Sequence, residues 1–308
     1  MKIENGCLVL EGEMVISSQF KGCEDLTEVV VCDYVKRIEK NAFSGCTNLK
    51  RVVLPKGLEY IGDNAFCCCE KIEEIEVPDT VKYIGVGAFS GCEELKYLIL
   101  PPYVEKIPDN LCSYCFNLIG ITVPNGVREI GKRAFSACWE MERAELPQGL
   151  EKIDDQAFFG CRVLKEISLP ESLTKIGGGA FEDCYELKSI KIPVGVQVLE
   201  ESIFAGCYEL GVVTLQEGLE EIGRNVFSTC RKLYDIRLPR TLTKIDDYAF
   251  EYCQGLKEIF IPSGVKHMGF CVFWESHIDV YCEVEEEPKG WSEGWACSLD
   301  TCRWGNKE

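Results

Sequence analysis

Histidine is almost missing from this chain, with His267 and His277 the only two in 308 residues. That scarcity removes most acid–base and nucleophilic schemes, because imidazole is the usual proton carrier in both. No Gly-rich phosphate loop, catalytic triad or metal-ligand cluster of convincing spacing is present, so no enzyme and no cofactor is expected. Basic charge is also short: 33 Lys and Arg stand against 51 Asp and Glu, a net charge of −18. Phosphate recognition needs a basic face to release counterions, so no nucleic-acid partner is expected. The same deficit disfavours an anionic membrane surface. Apolar runs never exceed a few residues, where a spanning helix needs about 20, so no membrane partner is expected. Residues 1–20 carry no basic start, apolar stretch and small-residue cleavage site. The expected location is therefore the cytoplasm. The alternative, for a chain processed from a longer one, is the cell surface or the medium.

What the chain does hold is a period. Phenylalanine recurs at one constant step, at Phe20, Phe43, Phe66 and Phe89 and onward to Phe273, with Cys112 standing once in its place. Cysteine follows three residues later from Cys23 to Cys253, and Leu, Ile72 or Met141 three residues after that. Proline closes a short apolar run in nearly every unit, with Gln216 the interior exception, and isoleucine fills a further column, with Leu199 and Met268. A fixed 23-residue period predicts a stack of units, none of which buries its apolar face alone.

Within one unit, Ile167-Ser168-Leu169 alternates and stops at Pro170, which predicts a short strand. Leu173 and Ile176, followed by Gly177, predict a second short extended segment. Ala180, Phe181 and Cys184 have helical spacing, which predicts a single helical turn. The expected fold is a repeat solenoid: short parallel strands stacked into a curved sheet, with turns or single helical turns opposite.

The unit Leu164-x-x-Ile167-x-Leu169-Pro170-x-x-Leu173-x-x-Ile176-Gly177-x-x-Ala180-Phe181-x-x-Cys184 resembles the BspA-like leucine-rich repeats, across residues of about 20 to 276. The resemblance implies a curved parallel-sheet solenoid that binds proteins, in a family rich in secreted surface adhesins.

Three segments are expected: a cap and degenerate first rung over 1–19, the array over 20–276, and an acidic Trp-rich cap over 277–308. Leu8, Leu10 and Val15 belong to the first, and Val15 falls one period before Ile38. In the last, Trp291, Trp295 and Trp304 suit a lid over the final rung, where Ser276 replaces the column cysteine. Leu111-Cys112 replaces the usual Ala-Phe pair, a large-small exchange that roughly conserves volume.

Cysteine is abundant, at twenty residues. The eleven in the column behave as small hydrophobes, and parallel side chains leave their sulfurs beside rather than facing each other. A reduced packing role follows, in keeping with the cytoplasm. Cys112-x-x-Cys115 lies in core columns rather than at the start of a long helix, which favours structure over redox chemistry. Cys282, Cys297, Cys302 and His277 together could supply four zinc ligands, but the C-x4-C spacing is loose, so no metal is expected. Cys67 and Cys68 are expected to be exposed thiols.

Two surfaces could carry binding. Tyr97, Ile99 and Phe260 project from the strands and form an apolar contact centre on the sheet face, or are incidental apolar residues on a solvated one. Phe116, Trp139, Arg162, Tyr185, Tyr208 and Arg231 follow the cysteine column in six consecutive rungs. They form either an internal stacking ladder or a docking ridge of the residue types that dominate interfaces. A column of alternating sign, Lys36, Glu59, Lys82, Glu105, Arg128 and Glu151, predicts rung-to-rung ion pairs. The expected function is a monomeric, non-enzymatic scaffold for a protein partner; the alternative is a carbohydrate- or peptidoglycan-binding adhesion module.

Overall fold

A computed structural model describes residues 15–306, together with the backbone of residues 2–4 and 7–9. The chain forms two compact units, Met1–Leu150 and Glu151–Glu308. Each is a solenoid of short parallel strands, because a strict 23-residue spacing sets like residues opposite like. In the first unit Glu74–Glu76 pairs with Tyr97–Ile99 so that Ile75 faces Leu98. On another side Tyr60–Ile61 pairs with Tyr83–Ile84, placing Ile61 against Ile84. The second unit repeats this with Ser189–Lys191 against Val212–Thr214, and with Glu221–Ile222 against Lys244–Ile245. A slip of one residue would turn every apolar side chain outward, so register and burial enforce each other.

The third side of each rung is not the helical turn that the Ala-Phe-x-x-Cys spacing suggests. Amides there alternate. Ala180, Glu182 and Cys184 donate back three residues, at 3.2, 3.1 and 3.3 Å, whereas Gly179, Phe181 and Asp183 donate to Glu201, Ile203 and Ala205 of the next rung, at 2.8, 2.9 and 2.8 Å. A helix would direct every N–H along its own axis and leave none for the neighbour. Reversal of the peptides needs left-handed residues, found at Gly179 (φ 61°) and Asp183 (φ 59°) and at the same two columns elsewhere, as at Asn41, Asn64, Gly45 and Gly91.

Phenylalanines fill the interior as a stack. Phe20, Phe43, Phe66 and Phe89 have successive centroids 5.5, 5.3 and 5.8 Å apart in the first unit. In the second, Phe158 to Phe273 continue at 5.3–5.8 Å. The column cysteines do more than pack. Buried thiols of the column donate to the carbonyl of the Phe column one rung back, as Cys92 does to Phe66 at 3.2 Å and Cys207 to Phe181 at 3.2 Å. Ser276 keeps that bond with its hydroxyl, to Phe250 at 2.6 Å. The odd rung buries Leu111 and Cys112 completely.

Three local expectations differ from the structure. Residues 165–169 form no regular strand, although Ile167 is buried and Glu166 and Ser168 exposed, so the alternation persists without the ladder. At the start, Ile16 rather than Val15 pairs with Ile38; Ile16 is buried and Val15 exposed. The reason is a turn one residue short: Ile16 precedes Phe20 by four residues, Ile38 precedes Phe43 by five, and a 3-10 turn over Ser18–Phe20 takes up the difference. Leu8 pairs with Val29 through its backbone, while its side chain and Leu10 lie outside the described residues. Finally, the alternating-charge column closes only the Lys36–Glu59 contact, at 3.8 Å, within the first unit. Its side chains leave from turns and reach carbonyls instead, Lys36 to Gly57 at 3.0 Å and Arg128 to Gly149 at 2.8 Å. Rung-to-rung ion pairs do occur in other columns, including Lys71–Glu94 at 2.7 Å, Lys96–Glu73 at 2.9 Å and Lys232–Glu209 at 2.5 Å.

At the far end Ile278–Cys282 pairs with Glu258–Ile261 on one side and Leu299–Arg303 on the other. Trp291 and Trp295 are buried, with Trp295 edge-on to the terminal Phe273 at 6.4 Å. The Trp291 indole donates to the Val265 carbonyl at 3.3 Å, giving its N–H the partner that burial demands.

Candidate functional site

The strand column that points away from the core supplies the sheet face. Its most exposed apolar members are Tyr97, at 56% exposure, and Ile99, at 59%. They border an open groove of about 1190 Å³ whose floor carries Glu74, Ile75 and Glu76, with Pro78 and Asp79 at the turn. Across it stand Arg51 and Val53, and Lys96 is held by Glu73 at 2.9 Å. Gly120 follows Tyr97 in the same column, and the Arg143 side chain lies across it, 2.9 Å from where a Cβ would stand. Phe260 belongs to the second unit and is not a free apolar residue: it is half-buried and stacked on Tyr281 at 4.9 Å, with Arg303 over Tyr281 at 5.4 Å. The terminal cap covers it, which the repeat pattern alone did not reveal.

The residues after the cysteine column stack as each unit allows. In the first unit Phe116 and Trp139 lie ring on ring, with centroids 4.0 Å apart. In the second, Arg162 caps Tyr185 at 5.8 Å, Tyr185 stacks on Tyr208 at 4.9 Å, and Arg231 caps Tyr208 at 5.3 Å. The faces of both tyrosine rings are thus occupied by neighbours, and edges and hydroxyls meet solvent. Desolvation first, and the nearby Asp183 carboxylate second, raise the Tyr185 phenol above its ordinary pKa, so it stays a neutral donor.

A second ladder escaped the sequence reading. Arg37 lies 3.8 Å from the centroid of Tyr60, and Tyr60 stacks on Tyr83 at 4.8 Å. Its signal was available, since all three occupy the position before the isoleucine column, one period apart.

The cysteines outside the column meet in pairs, Cys271 with Cys297 and Cys282 with Cys302, rather than in one cluster. Cys297 and Cys271 share the Gly294 carbonyl, which accepts the Cys297 thiol at 3.0 Å and the Cys271 amide at 2.9 Å. Cys302 lies across from Val280 and beside Cys282, and His277 approaches Asp300 at 3.6 Å. Among the described residues, no three His, Cys, Asp or Glu gather closely enough to hold a metal ion. Cys67 is half-buried and Cys68 exposed, with their sulfurs 3.5 Å apart. Burial foremost, and then Cys68, push the Cys67 thiol up to about 12.

Sequence comparison assigns the repeat. A profile described as the BspA type leucine rich repeat region (6 copies) matches residues 13–142, 128–257 and 221–282. A leucine-rich repeat protein from Bacteroides ovatus ATCC 8483 is 28% identical with a TM-score of 0.72, over 94% of this chain and 87% of that one. A leucine rich cell surface protein from Faecalibacterium prausnitzii A2-165 is 26% identical with a TM-score of 0.54, over 92% and 80%. The pneumococcal vaccine antigen PcpA is 25% identical with a TM-score of 0.53, over 92% and 69%. No curated protein matches the chain.

Proposed function

The chain belongs to the BspA-type leucine-rich repeat family, and on that premise we propose that it is a monomeric, non-enzymatic scaffold that holds a protein partner on the sheet face of its first unit. The observation that carries this reading is the pair Tyr97 and Ile99, both more than half exposed on one strand beside an open groove. Exposed apolar residues ringed by charge are the usual centre of a protein contact. The ridge supports docking less well. Its rings lie on one another, so their energy goes into rung-to-rung stacking. The same geometry weighs against the carbohydrate reading there, because sugars stack on open ring faces. Two structural neighbours, a cell surface protein and a vaccine antigen, support a location at the cell surface rather than the cytoplasm.

Affinity capture with the full chain tests the site. The double variant Tyr97→Ser with Ile99→Ser should lose the captured partner while melting like the parent, and Tyr185→Ser with Tyr208→Ser should keep the partner and melt lower. The opposite pattern would move the site to the ridge. Binding on a glycan array that the first variant abolishes would favour the adhesion module.

A further inference from the structure

Buried members of the cysteine column use their thiols internally, each S–H directed to a carbonyl one rung back, as Cys69 and Cys92 do, but Cys67 and Cys68 stand outside that scheme. Their sulfurs lie 3.5 Å apart at the surface of the first unit, and each is the other's hydrogen-bond partner. Cys68 also sits where the backbone needs a left-handed residue (φ 56°), a position held by glycine in both adjacent rungs, Gly45 and Gly91. A side chain there bears strain that glycine would avoid. The neighbouring glycines leave it room: a Cβ on Gly91 would stand 3.2 Å from the Cys68 sulfur. A strained cysteine, with glycine in the same position of both adjacent rungs and set against a second thiol, is a paired soft-donor site.

Oxidation is a poor use for that pair. Adjacent residues across a trans peptide have Cα atoms about 3.8 Å apart. Unstrained disulfides need about 4.4–6.8 Å. A bridging ion relaxes this limit, because two sulfur–metal bonds span more than one sulfur–sulfur bond. Two thiolates with no third ligand among the described residues suit a soft monovalent d10 cation, which accepts low coordination and prefers sulfur. We propose that Cys67 and Cys68 form a two-thiolate site for such a cation, copper(I) or silver(I) in class. On binding, both S–H bonds break, two sulfur–metal bonds form and two protons pass to solvent, with no change of oxidation state. The buried column thiols do not compete, since they already donate to carbonyls, as Cys69 does to Phe43 at 3.1 Å, and Cys297 is likewise committed to Gly294 at 3.0 Å.

Proton release gives the site a signature. While both thiols are protonated, affinity rises with pH with a slope of two in log K, about 100-fold per pH unit, whereas a single thiol gives about tenfold. Silver(I) titration of the full, reduced chain in chloride-free buffer, with a competing thiol chelator, reads both stoichiometry and slope. One tight silver per chain is expected, with the two-proton slope and protection of Cys67 and Cys68 from maleimide. Cys68→Ser should reduce the slope to one and weaken binding at least 100-fold, while Cys297→Ser should change neither. The Cys68→Gly variant restores the column's preferred residue, so it must fold and must lose the site. Silver held equally by Cys68→Gly, a one-proton slope in the parent, or a Cys67–Cys68 disulfide formed in air would each overturn the assignment.

Discussion

The odd rung offers a sharp test of how this core is specified. Leu111 and Cys112 occupy the columns of alanine and phenylalanine, and both are fully buried. Phe89 directs its amide to the Leu111 carbonyl at 3.0 Å, and Cys112 directs its own to Ala134 at 2.8 Å, so the rung's backbone is regular and only its side chains are exchanged. Leu111→Ala alone should leave a cavity and cost about 2–5 kcal/mol. Cys112→Phe alone should crowd a ring against Leu111 and cost about 1–3 kcal/mol. Independent effects would sum to about 3–8 kcal/mol. The double variant instead recreates the Ala-Phe pair, with the new ring continuing the stack that ends at Phe89, 5.8 Å from Phe66. It should lie within about 1 kcal/mol of the parent, since volume-conserving exchanges are tolerated and a stacked pair adds about 0.5–1.5 kcal/mol. The coupling is therefore at least about 2 kcal/mol, toward the upper end for residues in contact. Urea denaturation of the three variants, with hydrogen exchange at the amides of residues 89 and 112, measures it. Additive losses would refute the view that volume shared between the two columns governs this rung.

Other expectations follow from the same geometry. Cys184→Ser should cost less than about 1 kcal/mol, because the hydroxyl can still donate to Phe158, as Ser276 does to Phe250. Cys184→Val, more apolar but larger and without a donor, should cost about 1–3 kcal/mol; the reverse order in thermal melts would return the column to simple hydrophobic packing. Ser202 holds φ 58°, so Ser202→Gly should raise stability by about 0.5–1 kcal/mol, and a lower melting midpoint would contradict the strain argument. Desolvation raises the Asp183 carboxyl above its ordinary pKa against the opposing pull of Arg162. The folded state therefore holds that proton more tightly than the unfolded one, and stability falls as pH rises between the two pKa values. Asp183→Asn should thus melt above the parent at pH 7, with the gap closing in acid; a gap that widens in acid would reverse the sign.

The period made most of this architecture readable. Once Phe, Cys, Leu, Pro and Ile each recur at one common interval, burial of the columns and parallel register follow, because a stack in any other register would expose them. The buried Phe ladder and the burial of Leu111 and Cys112 were legible for that reason. The candidate surface was legible in part. Tyr97 and Ile99 project as the alternation requires, whereas Phe260 was assigned to the same open face and lies under Tyr281. No repeat rule describes a cap that has left the repeat.

The amino-acid order alone determined which side chains share a column, and hence the core, the register and the outward-facing strand positions. Directions of hydrogen bonds and reach of side chains were left to the folded molecule. Helical spacing in Ala180-Phe181-x-x-Cys184 could not reveal that alternate amides serve the next rung, because that choice depends on an acceptor far along the chain, as Ile203 is for Phe181. Composition identified the cysteines as small apolar residues, while packing supplied the carbonyls one rung back that turn buried thiols of the column into donors. Alternating charges along one column suggested pairing, and backbone carbonyls near their turns took two of the cations instead. A periodic sequence fixes what lies opposite what; only the assembled stack decides which of the groups within reach a polar atom will choose, since that depends on distances of a few ångströms that spacing does not encode.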